Sequence, residues 1–489
     1  MFFLCRFKMH TFLWHDYETF GKNTRTARPA QFAAIRTDEH LNEIGEPIEI
    51  FCQPAPDFLP EPEACLITGI TPQHCLKVGV PEHSFAEQIL KAFSEPNTIG
   101  VGYNSIRYDD EITRFMFWRN LIEPYSREWQ NGCGRWDIID LARVTYALRP
   151  EGITWPRNEQ GKVSFKLTDL TEANNITHEA AHDAVSDVRA TIALAKLIKA
   201  KQPKLFDFYL NLRQKEQVNN EIGLHLNPRL PFLHLSSMFP SERAHLALVF
   251  PLGLHPTNKN EVIVWDCTYD PSEIFELDAQ TIKSRMFARN DDLPEGVTRL
   301  PIKTIHTNKS PLVIHNLKVL DEAAQERCGL DLALNLRYAA ILAEKLLSID
   351  LSAVWTQVFQ REFELSDVDE ALYNGFLAGN DRNLLNQLLK LSPQDLAQAQ
   401  PNFTDARLAE LLFRYRARNY PETLSEQEYE AWQLHCSERL HGDGVAGNNG
   451  ALNFEAFFAE LDKLEQAGSA NVEMLESLRD YAYMIAPES

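Results

Sequence analysis

Asp16 and Glu18 stand two residues apart in the stretch Thr11 to Phe20, TFLWHDYETF. Apolar residues lead into the two acids, and the pattern predicts a β-strand. Side chains of a strand alternate faces, so both carboxylates point the same way. Like charges side by side on a strand face repel, and burying them unpaired is costly. A divalent cation relieves both problems, because hard cations take carboxylate oxygens. The alternative is a solvated edge strand with two surface acids, and the stretch alone leaves both readings open.

Two further acidic stretches follow. One is Gly102 to Asp109, GYNSIRYD; the other is His182 to Asp187, HDAVSD, ahead of a helical run from Ala190 to Lys199. With the first pair they supply Asp16, Glu18, Asp109 and Asp187 as carboxylates and His182 as an imidazole. By position alone Asp110 competes with Asp109, and Asp183 with Asp187. Asp109 also suits a helix N-cap.

The elements that must hold these residues are legible as patterns. Gln31 to Thr37 and Ile48 to Cys52 read as strands of an antiparallel meander. A proline-rich loop (Pro54, Pro56, Pro60, Pro62) follows, then a helix near Phe85 to Phe93. Ile99 to Asn104 is strand-like and leads into an acidic helix start at Asp109, Asp110 and Glu111. Arg135 to Leu148 reads as one helix, and Thr177 to Ala200 as a loop and a long helix. The order predicts an α/β region, a mixed sheet with packed helices. From about Phe232 to Asn316 short β runs separated by turns predict a small barrel or sandwich. Beyond about Leu320 the spacing is helical through Ile485. Residues 442–450 read as a flexible glycine-rich loop.

Composition narrows the function classes. A chain of 489 residues, 44% hydrophobic and 24% charged, predicts two to four globular domains. A formal net charge of -21 argues against a general polyanion binder, so nucleic-acid contact would need a local patch. The eight cysteines show no C-x-x-C spacing, which disfavours a zinc site, and a disulfide framework is not expected in a chain this long without a secretion signal. There is no signal peptide pattern and no run long enough to span a bilayer. The chain reads as cytoplasmic, with residues 1–8 dispensable for the fold.

The three acidic motifs, Asp16-x-Glu18, Asn104…Tyr108-Asp109 and His182-x4-Asp187, resemble those of the DEDDh 3′→5′ exonucleases. Position 183 is Asp, so the chain does not match the sister group that uses a tyrosine there. HDYETFG (15–21), RPAQFAAIRT (28–37), ALRPEGI (147–153) and FRYRARN (413–419) are similar to bacterial exodeoxyribonuclease I, and the likeness covers most of the chain. Residues 1–10 depart from it. The resemblance implies an RNase H-like catalytic domain over 11–203, an SH3-like β-barrel domain over 204–355 and an all-α C-terminal domain over 356–489, after an N-terminal extension at 1–10.

It also implies the chemistry. Asp16, Glu18, Asp109 and Asp187 would hold two Mg²⁺ ions, with Mn²⁺ able to substitute, and His182 would be the general base. Phosphodiester hydrolysis must activate a water and stabilise charge on two oxygens, which two metals about 3.5–4 Å apart can do. Without metal, like charges are expected to raise carboxylate pKa values. A neutral histidine, unperturbed near pH ~6.5, can take the water's proton.

Glu18, Arg114, Tyr125, Trp129, Arg143 and Lys166 are candidate contacts to single-stranded DNA, combining cations for phosphates with aromatic faces for bases. The alternative for the cations and aromatics is solvated charge and half-buried rings. The run Arg414 to Arg418 either lines a DNA groove or packs a helix face. The implied partners are single-stranded DNA and the acidic, hydrophobic-ended tail of single-stranded DNA-binding protein, with Arg149 a candidate contact. The implied state is a monomer acting processively in DNA repair and recombination. A nuclease of RNA ends, a polymerase proofreader and a non-catalytic scaffold are the rival readings.

Overall fold

The computed structural model describes residues 10–178, 183–360, 366–442, 451–468 and 471–486. His182, residues 1–9 of the expected extension and positions 443–450 of the glycine-rich loop lie outside the described residues. The chain forms two compact units. One comprises Met1–Gly134, Glu179–Arg189 and Phe363–Ser489; the other comprises Arg135–His178 and Ala190–Glu362.

In the first unit, strands β1 (Thr11–Thr19), β2 (Pro29–Thr37), β3 (Ile48–Phe51) and β4 (Thr98–Gly102) lie in the order β3-β2-β1-β4. β1 pairs antiparallel with β2 and parallel with β4, and β2 pairs antiparallel with β3. The sheet is therefore mixed, as the pattern predicts. β1 has a neighbour on each side as far as Trp14, and with Asp16 half-buried and Glu18 buried the solvated-edge alternative falls.

Alternation along β1 separates two tasks. Leu13 and Tyr17 enter an apolar core with Phe32, Phe85, Ile89, Phe93, Ile112 and Met116. The opposite set carries Phe12 and Trp14, then Asp16 and Glu18. Helices α1 (Pro62–Thr68) and α2 (Pro72–Val78) each carry proline in the first turn. The last proline of the expected loop thus starts a helix, where its missing N–H costs nothing. They are followed by α3 (Glu82–Phe93) and α4 (Asp109–Arg119). α4 is apolar on two sides for a reason. Ile112 and Met116 face the sheet core, while Phe115 and Trp118 pack with Leu385, Leu408, Leu411 and Leu412 of the C-terminal helices.

Those helices carry the basic run. Arg414, Arg416 and Arg418 lie on the helix Arg407–Asn419. Arg414 pairs with Asp367 at 2.7 Å and Arg416 with Glu428 at 2.7 Å. Arg418 pairs with Asp57 at 2.6 Å and Asp369 at 2.5 Å, both buried. The run packs its helix; it is not an open basic face.

In the second unit, β5 (Gly134–Asp137, its first residue at the end of the first unit) precedes α5 (Ile138–Leu148), where the sequence pattern runs one helix from Arg135. Asp137 sets the later start, its carboxylate accepting from Ile139 N at 3.0 Å. α6 (Leu167–Ala173) follows, and α7 (Ala184–Lys201) begins in the first unit. An antiparallel sheet then runs β10 (Leu312–Ile314), β6 (Phe232–Leu235), β7 (Leu246–Leu254), β8 (Glu261–Asp266), β9 (Ile302–His306). β9 is the strand that the sequence pattern does not single out. Among the described residues no helix is long and apolar enough to cross a membrane.

Candidate active site

Three of the four expected carboxylates converge. Asp16, Glu18 and Asp187 each offer an oxygen, and these atoms all lie within 4.8 Å of one another. The first two come from one strand face, the third from the first turn of α7. Helix geometry places Asp183 and Asp187 differently. Asp183 Oδ2 accepts from Ser186 N at 3.1 Å and its carbonyl accepts from Asp187 N at 2.9 Å, so Asp183 closes the helix start. Asp187 sits a turn further on and meets the strand acids.

Asp109 reaches the same strand from α4. β4 pairs with β1 only from Thr11 to Trp14, which leaves the Tyr17 N–H available beyond the last rung. Asp109 Oδ1 accepts that N–H at 3.1 Å and is buried. The exit of β4 depends on Gly102, where a Cβ would lie 2.6 Å from Ser105 Cβ and 3.0 Å from the His15 carbonyl. Asp110 turns away to Arg127, fully buried at 2.5 Å, whose guanidinium lies 4.3 Å from the Phe93 ring centroid. Asp109 is therefore the member of the pair that belongs with the strand acids.

Burial is the largest cause of the electrostatics, with like charge second. Burial and then Asp187 push the Asp16 carboxyl up to about 8. Burial, then Asp16, Asp187 and Asp183, push Glu18 up to about 9. Asp109 is held well above the carboxylate range by burial and then Asp16. The expectation named charge repulsion; the structure adds desolvation as the stronger effect. His15, next to Asp16, is lowered to about 4 by burial and Arg127, so it is neutral and inward-facing. Carboxylates brought together at the expense of their own ionisation fit a hard divalent cation held by oxygen ligands. His182 lies outside the described residues.

The expected DNA contacts divide. Trp129 is 65% exposed, and the Lys166 side chain is exposed at the start of α6. Tyr125 is half-buried beneath the Arg114 guanidinium, 5.3 Å from its ring centroid. Arg114 corrects a simple reading as an open phosphate ligand. It is 3% exposed, donates to both oxygens of Glu128 at 2.7 and 3.0 Å, and also donates to Glu111 and Tyr373. Arg143 is likewise engaged, donating to Asp140 at 2.7 Å with its side chain 11% exposed. Both are long cations near acidic residues a helical turn away, a pairing that spacing alone could have flagged. The hydrogen bonds of the hydroxyls around the acids are not legible in the sequence: Tyr108 Oη lies 2.6 Å from Thr19 Oγ1, and Thr113 Oγ1 donates to Tyr17 Oη at 2.9 Å.

Residues 13–195 match a family described as Exonuclease, residues 213–361 the Exonuclease I SH3-like domain, and residues 366–485 the Exonuclease I C-terminal domain. The exodeoxyribonuclease I of Haemophilus influenzae is 42% identical over 478 residues, covering 97% of this chain and 98% of that protein. That of Escherichia coli is 44% identical over 433 residues, covering 87% and 89%. A crystal structure of E. coli exonuclease I in complex with a dA16 oligonucleotide superposes with a TM-score of 0.90 at 40% identity, over 97% of this chain and 100% of that one. A zinc-bound form of the E. coli enzyme with single-stranded DNA (TM-score 0.88, 40% identity, 98% and 100% covered) is similar too. So is an SSB/exonuclease I structure with an inhibitor (TM-score 0.88, 39% identity, 98% and 100% covered).

Proposed function

Since the chain belongs to the exodeoxyribonuclease I family, we propose that it degrades single-stranded DNA processively from the 3′ end, releasing 5′-mononucleotides, in DNA repair and recombination. The observation that carries the reading is the convergence of Asp16, Glu18 and Asp187 from a strand and a helix, with Asp109 hydrogen-bonded to the same strand. A single-stranded DNA substrate is supported by the oligonucleotides held by the E. coli relatives.

Asp16, Glu18, Asp109 and Asp187 would hold two Mg²⁺ ions, with Mn²⁺ able to substitute. Bound there, the ions supply activation of water and stabilisation of charge on the attacking and leaving oxygens. The chain's own residues do the rest. Asp16, Glu18 and Asp109, held protonated by burial, would give up their protons on loading. His182 takes the proton of the attacking water. Trp129 and Tyr125 offer faces to bases, and Lys166 offers a cation to a phosphate. Arg114 braces the Tyr125 ring, and Arg143 braces Asp140 and the nearby Phe165 ring. Residues 11–203, 204–355 and 356–489 act as catalytic, SH3-like and helical domains of a cytoplasmic monomer. The tail of single-stranded DNA-binding protein is the proposed protein partner, a reading supported by the SSB/exonuclease I relative. Arg149, which donates to the Val319 carbonyl at 3.1 Å, is a candidate contact.

End-labelled single-stranded DNA, duplex DNA and RNA, each with Mg²⁺ or with chelator, test the reading. Loss of mononucleotides from the 3′ end of single-stranded DNA, only with metal, is expected. Degradation in chelator, from the 5′ end, or with RNA preferred would overturn it. His182→Ala should slow turnover at neutral pH about 10²–10⁴-fold; a rate near wild type would remove it from the base role.

A further inference from the structure

Helix α4 opens with a residue that does not cap it. Tyr108 occupies the N-cap position with φ -122 and ψ -71 and makes no side-chain cap hydrogen bond. Ser, Thr, Asp or Asn would serve a helix start there. The Tyr108 side chain instead reaches back to the end of β1. Its hydroxyl lies 2.7 Å from the Gly21 carbonyl and 2.6 Å from Thr19 Oγ1, itself 2.8 Å from the same carbonyl, so one hydroxyl donates to the carbonyl and the other to its fellow hydroxyl.

That end of β1 needs holding. The β1–β2 register slips between Glu18 and Thr19: Glu18 lies opposite Gln31, but Thr19 lies opposite Pro29. Proline has no N–H to offer the ladder. Beyond Glu18 the strand is therefore secured by other bonds: Phe20 N to the Arg28 carbonyl at 2.9 Å, Glu61 N to the Phe20 carbonyl at 2.7 Å, and the Thr19–Tyr108–Gly21 hydroxyl cluster. Among the described residues, the cluster links the segment after Glu18 to the residue just before Asp109.

We propose that Tyr108 is a positioning residue whose hydroxyl, through Thr19, sets the spacing between the strand carboxylates and Asp109, and thereby the affinity of the site for divalent cations. The inference rests on the metal-site reading above. Two carboxylate sets carried on different elements must be held within about 0.5 Å to share ions, and groups behind the ligands typically contribute 10–100-fold to metal affinity or activity. Tyr108→Phe keeps the ring, which packs beside the sheet core, and removes only the hydroxyl.

The test is Mn²⁺ binding to the DNA-free protein, followed by electron paramagnetic resonance or calorimetry, with DNA hydrolysis measured separately. Tyr108→Phe and Thr19→Val should each weaken Mn²⁺ binding by about tenfold or more. The double variant should be no worse than either single one, because both break the same cluster. Thr19→Ser, which keeps a hydroxyl, should retain wild-type affinity. In Tyr108→Phe, excess metal should restore kcat, with the KM for DNA unmoved. Wild-type Mn²⁺ affinity in Tyr108→Phe would overturn the proposal, whether or not its melting temperature falls. A raised KM for DNA with normal metal binding would overturn it too, making Tyr108 a DNA contact. If the wild-type protein binds no Mn²⁺, the metal-site reading itself fails, a result distinct from the other two.

Discussion

Two of the places where the first unit buries charge do so by opposite means. In the network around Arg418, every buried acid meets an arginine. Asp57 and Asp369, 0% and 1% exposed, lie within hydrogen-bond distance of the Arg418 guanidinium, and Arg414 pairs with Asp367. Burial alone would raise both carboxyls, but Arg418 and its neighbours hold Asp57 and Asp369 well below the usual carboxylate range. At the other place Asp16, Glu18 and Asp187 meet each other, with Asp109 hydrogen-bonded to the same strand, and burial and like charge push Asp16, Glu18 and Asp109 up. The contrast separates structure from function. A buried charge whose counter-charge is built into the chain closes its own account and holds helices to a sheet. Buried like charges leave a deficit that bound protons or an added cation must make good.

The largest expected effect comes from breaking the acid cluster. Asp16→Ala should lower hydrolysis by about 10³-fold or more, while the metal-free protein melts no lower than wild type, since a repulsion is removed. Retained activity would sink the metal assignment, and a collapse in stability would show that Asp16 belongs with the structural acids. Asp57→Ala should do the reverse. Removing one partner of a buried pair costs about 3–5 kcal/mol, so the melting temperature should drop sharply while the folded fraction keeps wild-type metal binding. An unchanged melting temperature would erase the distinction between the two regions.

Proton linkage sharpens the comparison with smaller effects. Asp16 and Glu18 bind protons more tightly folded than unfolded, so the metal-free chain loses stability from them as pH rises from their unfolded values, near 4, through about 8 to 9. Mg²⁺ should therefore raise the melting temperature more at pH 8.5 than at pH 6, and Asp16→Asn should flatten the difference. Asp57 and Asp369 run the other way. Their stabilisation is present above the unfolded pKa and is lost only as pH falls below it. Acid unfolding should thus begin at higher pH in Arg418→Met, which removes the shared cation.

The sequence by itself supplied the candidate residues and, through its resemblance, the chemistry proposed for them. Strand alternation put Asp16 and Glu18 on one face, and the order of motifs named Asp109, Asp187 and His182. Periodicity found the mixed sheet, four of the five strands of the antiparallel sheet and the helical C-terminal stretch, because amphipathic period is written locally in each element. It ran α5 too far, since a strand feeding a helix through an Asp137 cap has no break in hydrophobicity. Tertiary structure decided what each charge faces. Arg114 and Arg418 look alike as solvent cations in a sequence, yet each is folded onto carboxylates, Arg114 onto one 14 residues along the chain and Arg418 onto one 361 residues away. The choice of Asp109 over Asp110, the strand's place inside the sheet and the reach of Tyr108 to Thr19 depend on contacts between elements distant in the chain. Local spacing encodes which face a residue occupies; only the packed fold supplies the partner on that face.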